Sequence, residues 1–161
     1  MVCVGGALYG LLNNEQKKKL LNNNHNKLKQ IMTLKTKVIT IRCVKKNNLI
    51  GYGENYKAKY NATIAIASFG YGYGYNTSLL NAPITGYCNN EYLFFAGLIG
   101  MNALFFDITH MKNKIKCGEY IILTNNEITP INAANLSNQY IGGREYAFTT
   151  MLHESIKKLI L

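Results

Sequence analysis

Hydrophobic positions in this chain fall mostly into short runs that alternate with polar positions or end at glycine and asparagine. Ile39, Ile41 and Cys43 alternate with Thr40 and Arg42, which is the two-residue period of a strand with one buried face. Further runs bounded by Gly or Asn predict strands at Tyr56–Tyr60, Thr63–Phe69, Ile84–Cys88, Tyr92–Phe95, Leu104–Ile108 and Tyr120–Leu123. Many short strands predict a mainly β fold, a barrel or a sandwich.

The beginning of the chain does not continue this pattern. Met1–Gly10 is apolar and ends in glycine, which predicts a short strand, whereas Leu11–Gln30 is rich in Asn and Lys and predicts a loop or a marginal helix. Met1–Leu12 lacks the basic n-region of a signal peptide and leads directly into polar Asn13. We therefore expect no signal peptide and a cytoplasmic protein.

Two helices are predicted near the end of the chain. Thr129 followed by Pro130 has the chemistry of an N-cap and a first helical residue, and opens a helix to about Gln139 that the pair Gly142–Gly143 would stop. A second helix is predicted over Glu145–Glu154. The fold is therefore expected to be a β barrel or sandwich with one or two C-terminal helices.

The most apolar segment is too short to cross a membrane. As a helix, Tyr92–Phe106 would span about 22 Å, against a hydrocarbon core of roughly 30 Å. It also contains Gly97, Gly100 and Asn102, which favour a turn. Two buried strands are the better interpretation, and no membrane association is predicted.

The net charge of +10 and the pI near 9.4 leave a nucleic-acid partner open. The tract Gly70–Tyr75 alternates Gly and Tyr, which suits either a surface that stacks bases or a glycine-rich turn. Five lysines, however, crowd the polar stretch from Lys17 to Lys29, and Lys157 and Lys158 lie near the end. That distribution favours a solvated surface over a nucleic-acid footprint.

Spacing alone gives no complete catalytic or metal site. The chain has no Walker loop, no nucleophile elbow and no paired carboxylates, and its one aspartate is Asp107. The cysteines are far apart, without a Cys-x-x-Cys pair or a histidine at ligand spacing: Cys3, Cys43, Cys88 and Cys117. We therefore expect free thiols in a reducing compartment and no metal.

Several motifs, in a fixed order, change this picture. Ile50–Tyr56, I-G-Y-G-E-N-Y, resembles a family segment V-G-Y-G-x-x-Y, and Ile64–Tyr75 follows at the family distance as a divergent form of I-x-x-I-P-I-G-Y-A-D-G-Y. Ala96–Asn102 resembles V-G-R-V-C-M-D-Q, and Phe106–Thr109 continues it as V-D-V-T. Val4–Gly10 resembles R-x-G-x-A-L-Y-G more weakly. Cys117–Glu119 resembles the family's turn before a strand, and Ile128–Pro130 and Tyr146 resemble its closing helices. Together they resemble the C-terminal domain of alanine racemases.

The resemblance implies a domain division and a chemistry. Residues 1–12 would be the end of a TIM-type barrel, 13–30 a linker and 31–161 the racemase C-terminal domain. In the family, pyridoxal 5′-phosphate is joined to a barrel lysine and stabilises the carbanion left when the α-proton departs. A tyrosine from the C-terminal domain is the second acid/base, and Tyr56 occupies its position. The reaction interconverts L- and D-alanine for peptidoglycan synthesis.

The same resemblance assigns the other site residues. Tyr71 would line the substrate entrance, and the backbone N–H of Met101 would hold the substrate carboxylate. The backbone amides of Gly5 and Gly6 would approach the cofactor phosphate, since a missing side chain permits close contact.

The chain also departs from the family pattern. Cys3 replaces an arginine that faces the pyridine nitrogen, Leu98 an entrance arginine, and Asn102 the aspartate after the methionine, while Gly72-Tyr73 replaces Ala-Asp. The lysine motif K-A-x-A-Y-G-H is absent, with only a faint echo in Lys57–Ala62. We therefore expect a chain that is inactive alone and works with a separately encoded barrel fragment or a homodimer partner. The alternatives are a basic β barrel that binds nucleic acid and a non-functional gene remnant.

Overall fold

A computed structural model describes residues 5–11, 29–51, 56–125, 133–141 and 146–159 of the 161-residue chain. Within these ranges the main elements are six strands, two short α-helices, a π-helical turn and three 3-10 helices. The strands are β1 (Leu34–Val44), β2 (Ala62–Ala67), β3 (Gly86–Cys88), β4 (Glu91–Phe95), β5 (Leu104–Asp107) and β6 (Tyr120–Thr124). The helices are α1 (Ala133–Leu136), the π-helical turn Ser137–Ile141, α2 (Ala147–Thr150), and the 3-10 helices Gly6–Tyr9, Tyr71–Tyr73 and Thr77–Asn81.

The six strands form a closed antiparallel barrel in the order β1-β2-β5-β4-β3-β6. Closure pairs every strand on both sides, so that no strand edge is left open. The predicted mainly β fold is confirmed. Five predicted strands correspond to β2 through β6 with shifted ends, and the two strands expected in Tyr92–Phe106 are β4 and β5, which pair with each other.

The barrel interior is a single apolar core. Along β2, Ala65 and Ala67 face inward, and on the paired β5 Leu104 and Phe106 do the same. Leu93, Ile121 and Leu123 contribute from β4 and β6 without solvent exposure. Burying one such side chain contributes about 1.5–3 kcal/mol, so these positions fix which face of each strand is internal.

A second, smaller apolar cluster covers the outside of β2 and β5. Ile64 and Ile66, which alternate with the inward residues of β2, pack with Phe105 against Ile50 and Ala58 from the preceding loop. Both faces of β2 are therefore covered, which explains why its sequence is apolar without interruption. The loop that carries this cover is the one that contains Tyr56.

The predicted buried face of the first strand is only partly correct. Leu34, Thr36 and Val38 are buried, and Ile41 packs on the core, but Ile39 is 51% exposed and Cys43 is exposed as well. The register steps from Val38↔Ala67 to Thr40↔Ile66, so Ile39 is an extra residue in a β-bulge. The bulge changes which residues face inward, and it is not visible in the alternation of the sequence.

The strand predicted at Tyr56–Tyr60 is wrong. Lys57 makes an isolated bridge with Leu49, and the chain then bends toward β2. This segment pairs with the loop just before it, because Asn47 donates to the Ala58 carbonyl oxygen (2.8 Å) and Ala58 donates to that of Asn48 (2.9 Å). The result is a short antiparallel pair of segments, residues 47–50 and 56–58, called the hairpin below, instead of a seventh strand of the barrel.

The ends of the chain also differ from the predictions. Gly6–Tyr9, expected to be extended, forms a 3-10 helix. The predicted helix to Gln139 is found as α1 and the π-helical turn after it, and the predicted second helix is found as the shorter α2. Thr129, Pro130 and the pair Gly142–Gly143, predicted to bound the first helix, lie outside the described residues.

Candidate functional site

The Gly-Tyr tract folds into a tight turn against the loop between β4 and β5. Tyr71–Tyr73 form a 3-10 helix that ends at Gly74 with φ 86°. The N–H of Tyr71 donates to the Gly100 carbonyl oxygen (3.0 Å), and that of Gly72 donates to the Met101 carbonyl oxygen (2.9 Å). Two predicted substrate-binding residues, Tyr71 and Met101, thus lie on segments joined by backbone hydrogen bonds.

Position 70 must be glycine because a side chain would not fit between the turn and the Met101 loop. A Cβ atom there would lie 2.1 Å from the Gly100 carbonyl oxygen and 2.5 Å from that of Met101. Its φ of 178° is extended backbone that any residue can adopt, so the constraint is steric. The glycine that opens the tract therefore allows the turn to reach the Met101 loop.

The aromatic end of the tract anchors the turn in the core. Tyr75 is 1% exposed and makes edge contacts with Phe69, Phe95 and Phe148 at centroid distances of 5.8, 6.1 and 5.9 Å. Burial raises the pKa of the Tyr75 phenol far above its ordinary value, so it stays neutral. A Gly-Tyr tract with this role is a structured turn, not a flexible stacking surface.

Tyr71 and Met101 themselves point outward. Their exposed fractions are 50% and 55%, large for apolar side chains on a well-packed turn. Within the described part of the chain, the Met101 carbonyl accepts the Gly72 bond, while the Met101 N–H donates to no other residue. A backbone donor beside two exposed side chains can bind a carboxylate.

Tyr56 forms the pair with Ile50 that lies farthest from the Asn47–Ala58 end of the hairpin. Its carbonyl oxygen accepts a hydrogen bond from the Ile50 N–H (3.0 Å), and its half-buried side chain packs on the outer apolar cluster. Ile50 also abuts the Met101 loop, since a Cβ on Gly97 would lie 3.0 Å from the Ile50 carbonyl oxygen. The hairpin that carries Tyr56 therefore contacts the start of the loop that carries Met101.

Gly5 and Gly6 lie on a separate turn near the C-terminal helices. A Cβ on Gly5 would meet nothing within 4 Å, whereas one on Gly6 would lie 3.0 Å from the Leu11 carbonyl oxygen and 3.8 Å from the Tyr146 ring. Tyr146 precedes α2, and Met151, just after that helix, lies against Gly74. Tyr146 and Met151, at the two ends of α2, thus link the glycine turn to the Gly-Tyr tract.

A cavity of about 510 Å³ lies beside Tyr56. Its walls include Tyr60, Asp107, His110 and Glu91, four side chains to which the predictions gave no role in a site. Asp107 was part of the V-D-V-T resemblance and is the only aspartate of the chain, a signal that could have identified it. No sequence signal pointed to Tyr60.

Asp107 and Tyr60 form a short hydrogen bond on this cavity wall. Tyr60 Oη donates to Asp107 Oδ2 at 2.5 Å, and this bond, followed by burial and the charge of Asp107, raises the pKa of Tyr60 to about 12. Burial raises the pKa of the Asp107 carboxyl, but hydrogen bonds from Thr109 and Tyr60 outweigh it and bring that pKa below its usual range. The pair is thus neutral phenol and ionised carboxylate at neutral pH.

Neither a metal centre nor a membrane-spanning helix is found in the residues that the structure describes. They contain no group of three or more His, Cys, Asp or Glu side chains that could hold a metal ion. Their helices include none long and apolar enough to span a bilayer. Cys43, Cys88 and Cys117 are free thiols, whereas Cys3 lies outside the described residues.

Comparison with known proteins identifies one family. Residues 31–160 match the family model described as the alanine racemase C-terminal domain. The alanine racemase of Wigglesworthia glossinidia brevipalpis is 33% identical over 134 residues, which are 83% of this chain and 36% of that protein. The serine/alanine racemase of Enterococcus gallinarum is 33% identical over 71% of this chain and 16% of its own length.

Solved structures agree on the fold. The alanine racemase of Bartonella henselae, crystallised with covalently bound pyridoxal phosphate, superposes with a TM-score of 0.81 at 23% identity, over 98% of this chain and 40% of that one. The chain spans about a third of the length of several curated alanine racemases that it matches. The comparisons give no support to the nucleic-acid alternative.

Proposed function

The chain belongs to the family of alanine racemase C-terminal domains, and on that basis we propose that it supplies Tyr56 as one of two acid/base groups for interconversion of L- and D-alanine. The supporting observation is the Gly72–Met101 hydrogen bond, which holds the Tyr71 turn against the loop that the Tyr56 hairpin also contacts. Three segments far apart in the sequence therefore adjoin one another. The cellular role that follows is supply of D-alanine for peptidoglycan in the cytoplasm.

Tyr56 can perform proton transfer through its phenol oxygen. A racemase removes the α-proton on one face of the substrate and returns a proton on the other, which requires two groups on opposite sides. The backbone hydrogen bond from Ile50 and packing on the outer apolar cluster hold Tyr56 in place. In this proposal Tyr56 Oη takes or delivers the proton on one face, and a lysine from the barrel acts on the other.

The Met101 loop would bind the substrate carboxylate. The N–H of Met101 is a neutral donor, and Tyr71 on the adjoining turn and Leu98 on the same loop are exposed apolar side chains. Leu98 stands where the family has an arginine. The substrate carboxylate would therefore be held by hydrogen bonding without the positive charge of that arginine. We therefore expect weaker substrate binding than in a racemase that keeps the arginine.

The cofactor expected from the family is pyridoxal 5′-phosphate, and Gly5 fits a role beside its phosphate. Space around Gly5 is open, so a ligand oxygen could approach its backbone without meeting a side chain. Gly6 is more enclosed, with Leu11 and Tyr146 beside it. When bound, the cofactor supplies the electron sink that makes the α-proton acidic.

A barrel partner is part of this proposal. The chain covers 36% of the length of the Wigglesworthia racemase, and no lysine here matches the family lysine motif. The missing lysine and barrel walls would come from a separately encoded fragment or from another subunit. Without them, this chain holds only one of the two acid/base groups.

Reconstitution with a racemase barrel fragment tests the proposal. We expect mixing to give racemisation that Tyr56→Phe lowers about 100-fold or more, the usual range for loss of a general acid/base, while cofactor binding changes little. Tyr120→Phe is the control, because it removes the same hydroxyl from an exposed tyrosine on β6, which is not one of the strands that the Met101 loop joins. Racemisation that is indifferent to Tyr56→Phe would show that this tyrosine is structural.

A further inference from the structure

The outer face of strands β2, β5 and β4 carries one carboxylate in a row of apolar side chains. The barrel register sets Asp107 of β5 opposite Ile64 of β2 on one side and opposite Phe94 of β4 on the other. Ile64 is buried in the outer apolar cluster, whereas Phe94 is 54% exposed. Asp107 therefore lies where this face changes from covered to open, and its open side is aromatic.

The open side belongs to the cavity of about 510 Å³ described above. Tyr60 and Tyr92, which are 42% and 45% exposed, line it together with Phe94 and Asp107. Three partly exposed aromatic rings thus share one concave surface with a carboxylate. The volume lies in the range of small-molecule sites, roughly 300–1,000 Å³, and such sites combine apolar walls with a few polar groups.

Hydrogen bonds from neutral groups keep the Asp107 carboxylate ionised. Its Oδ1 accepts from the Thr109 N–H (2.9 Å), and its Oδ2 accepts from Tyr60 Oη. Burial raises the pKa of Asp107, but these bonds, with a smaller contribution from the charge of His110, bring it below its usual range. An ionised carboxylate offers about four acceptor positions, so Asp107 can accept a further hydrogen bond from a ligand.

Glu91, the first residue of β4, adds a second negative charge to the cavity wall. It accepts hydrogen bonds from the N–H groups of Asn113 (2.7 Å) and Lys112 (3.2 Å), and the bond from Asn113 is the main cause of its lowered pKa. The acidic residues that the structure describes are Glu91, Asp107, Glu119 and Glu154. Two of these four therefore line one cavity, in a chain whose net charge is +10.

We propose that this cavity binds a small organic ammonium ion, whose charged group lies at the Asp107 carboxylate and whose apolar part packs on Phe94 and Tyr60. An ammonium group is attracted both to a carboxylate and to the faces of aromatic rings. Lys59 and His110, the basic side chains on the cavity wall, compete for the carboxylates, so we expect weak binding. The site is a property of this chain alone and depends on none of the roles proposed above.

Titration of the full chain with benzylammonium, followed by amide NMR, tests the site. Benzyl alcohol and benzoate carry the same ring with a neutral and a negative group. We expect benzylammonium to bind with a Kd on the order of 1 mM, as suits so small a ligand. It should shift the amide signals of Thr109, Lys112 and Asn113, whose N–H groups bond to the two carboxylates. The two analogues should bind about tenfold more weakly or not at all, because they lack the charge-assisted hydrogen bond.

Two variants with matched controls assign the binding to this cavity. Asp107→Asn, which keeps the shape of the side chain, should weaken binding about tenfold. Glu119→Gln should leave it unchanged, because Glu119 also accepts a backbone hydrogen bond but is not on the cavity wall. Phe94→Ala should weaken binding roughly three- to tenfold. Tyr120→Ala, which removes an exposed ring from β6, should have no effect.

The titrations decide between a cation site and a surface groove. Equal affinities for benzylammonium and benzyl alcohol overturn the proposal, because the cavity would then bind rings regardless of charge. Binding that survives both Asp107→Asn and Phe94→Ala overturns it too, as does the lack of saturable binding in the millimolar range. Thermal unfolding verifies that the variants fold. Phe94 is more than half exposed, so Phe94→Ala decides the matter if Asp107→Asn does not fold.

Discussion

The N–H of Gly72 donates a 2.9 Å hydrogen bond to the carbonyl oxygen of Met101, joining the Gly-Tyr turn to the loop between β4 and β5. The bond uses the carbonyl of Met101 and leaves its N–H for another acceptor. Gly72 itself has little space, since a Cβ there would lie 3.0 Å from the same oxygen. The arrangement of Tyr71 and Met101 thus depends on glycines that let two backbones approach.

The first prediction concerns that approach. Gly70→Ala should lower the free energy of unfolding by about 1–3 kcal/mol, because its Cβ would lie 2.1 Å from the Gly100 carbonyl oxygen and the turn must shift. Gly5→Ala, in open space, should change it by less than about 0.5 kcal/mol. Urea unfolding measures both, and equal stabilities would show that the turn and the loop separate without cost.

The second prediction concerns the chain by itself. We expect no D-alanine from L-alanine when the 161-residue chain is incubated with pyridoxal 5′-phosphate, because no residue matches the family lysine. A chiral amino-acid assay measures this. Borohydride trapping and peptide mapping would distinguish cofactor on surface lysines from cofactor at one site. Sustained D-alanine production would contradict the assignment of the second acid/base to a partner.

The third prediction concerns Cys3, where the resemblance implies an arginine. In a complex with a barrel fragment, Cys3→Arg should raise racemisation several-fold, roughly three- to tenfold, because it restores a fixed positive charge toward the pyridine nitrogen. Cys3→Ser, which keeps the position neutral, is the control. An unchanged rate in Cys3→Arg would indicate that the chain docks differently from the family.

The fourth prediction concerns acid stability. The folded-state pKa of Asp107 is below its ordinary value of 3.8, so its ionised form stabilises the folded chain above about pH 4, and this contribution is lost as the pH falls through the lower folded value. Asp107→Asn should therefore be less stable at pH 7 by about 0.5–1 kcal/mol, allowing for solvent screening. The difference should shrink between about pH 4 and pH 2.

Urea unfolding at several pH values measures this difference. The other charged side chains on the cavity, Glu91, His110 and Lys59, are present in both proteins, so they do not set the difference between them. Glu154→Gln is the control, because Glu154 is exposed and accepts no hydrogen bond from the residues that the structure describes. A difference that stays constant down to pH 2 would mean that Asp107 acts without its charge.

Much of the barrel could be predicted from local patterns. Runs of β-branched and aromatic residues ending at Gly or Asn marked β2 through β6, because strand and turn preferences are properties of neighbouring residues. The prediction failed at Tyr56–Tyr60, which has a strand-like composition but pairs with the loop before it. It also failed at Ile39, where the bulge depends on how β1 pairs with β2.

The sequence predicted some features of the candidate site, and the fold decided others. The motifs around Tyr56, Tyr71 and Met101 identified the family, which the family match over residues 31–160 confirms, while the roles of these residues stay predictions. Tyr71 and Met101 lie on hydrogen-bonded segments because Gly70 and Gly72 leave room for the two backbones to approach. The spacing of these glycines in the sequence does not predict that approach. The close approach of the two segments is decided by the tertiary structure.

What the sequence by itself determined was therefore the family, the β class and the approximate positions of β2 through β6, all of which depend on neighbouring residues or on a colinear order of motifs. The tertiary structure decided which faces turn inward and which distant side chains meet. Tyr60 and Asp107 are 47 residues apart, and they meet because antiparallel pairing sets Ile64 of β2 opposite Asp107 of β5. A register of this kind is fixed by closure of the whole barrel, which no local pattern contains.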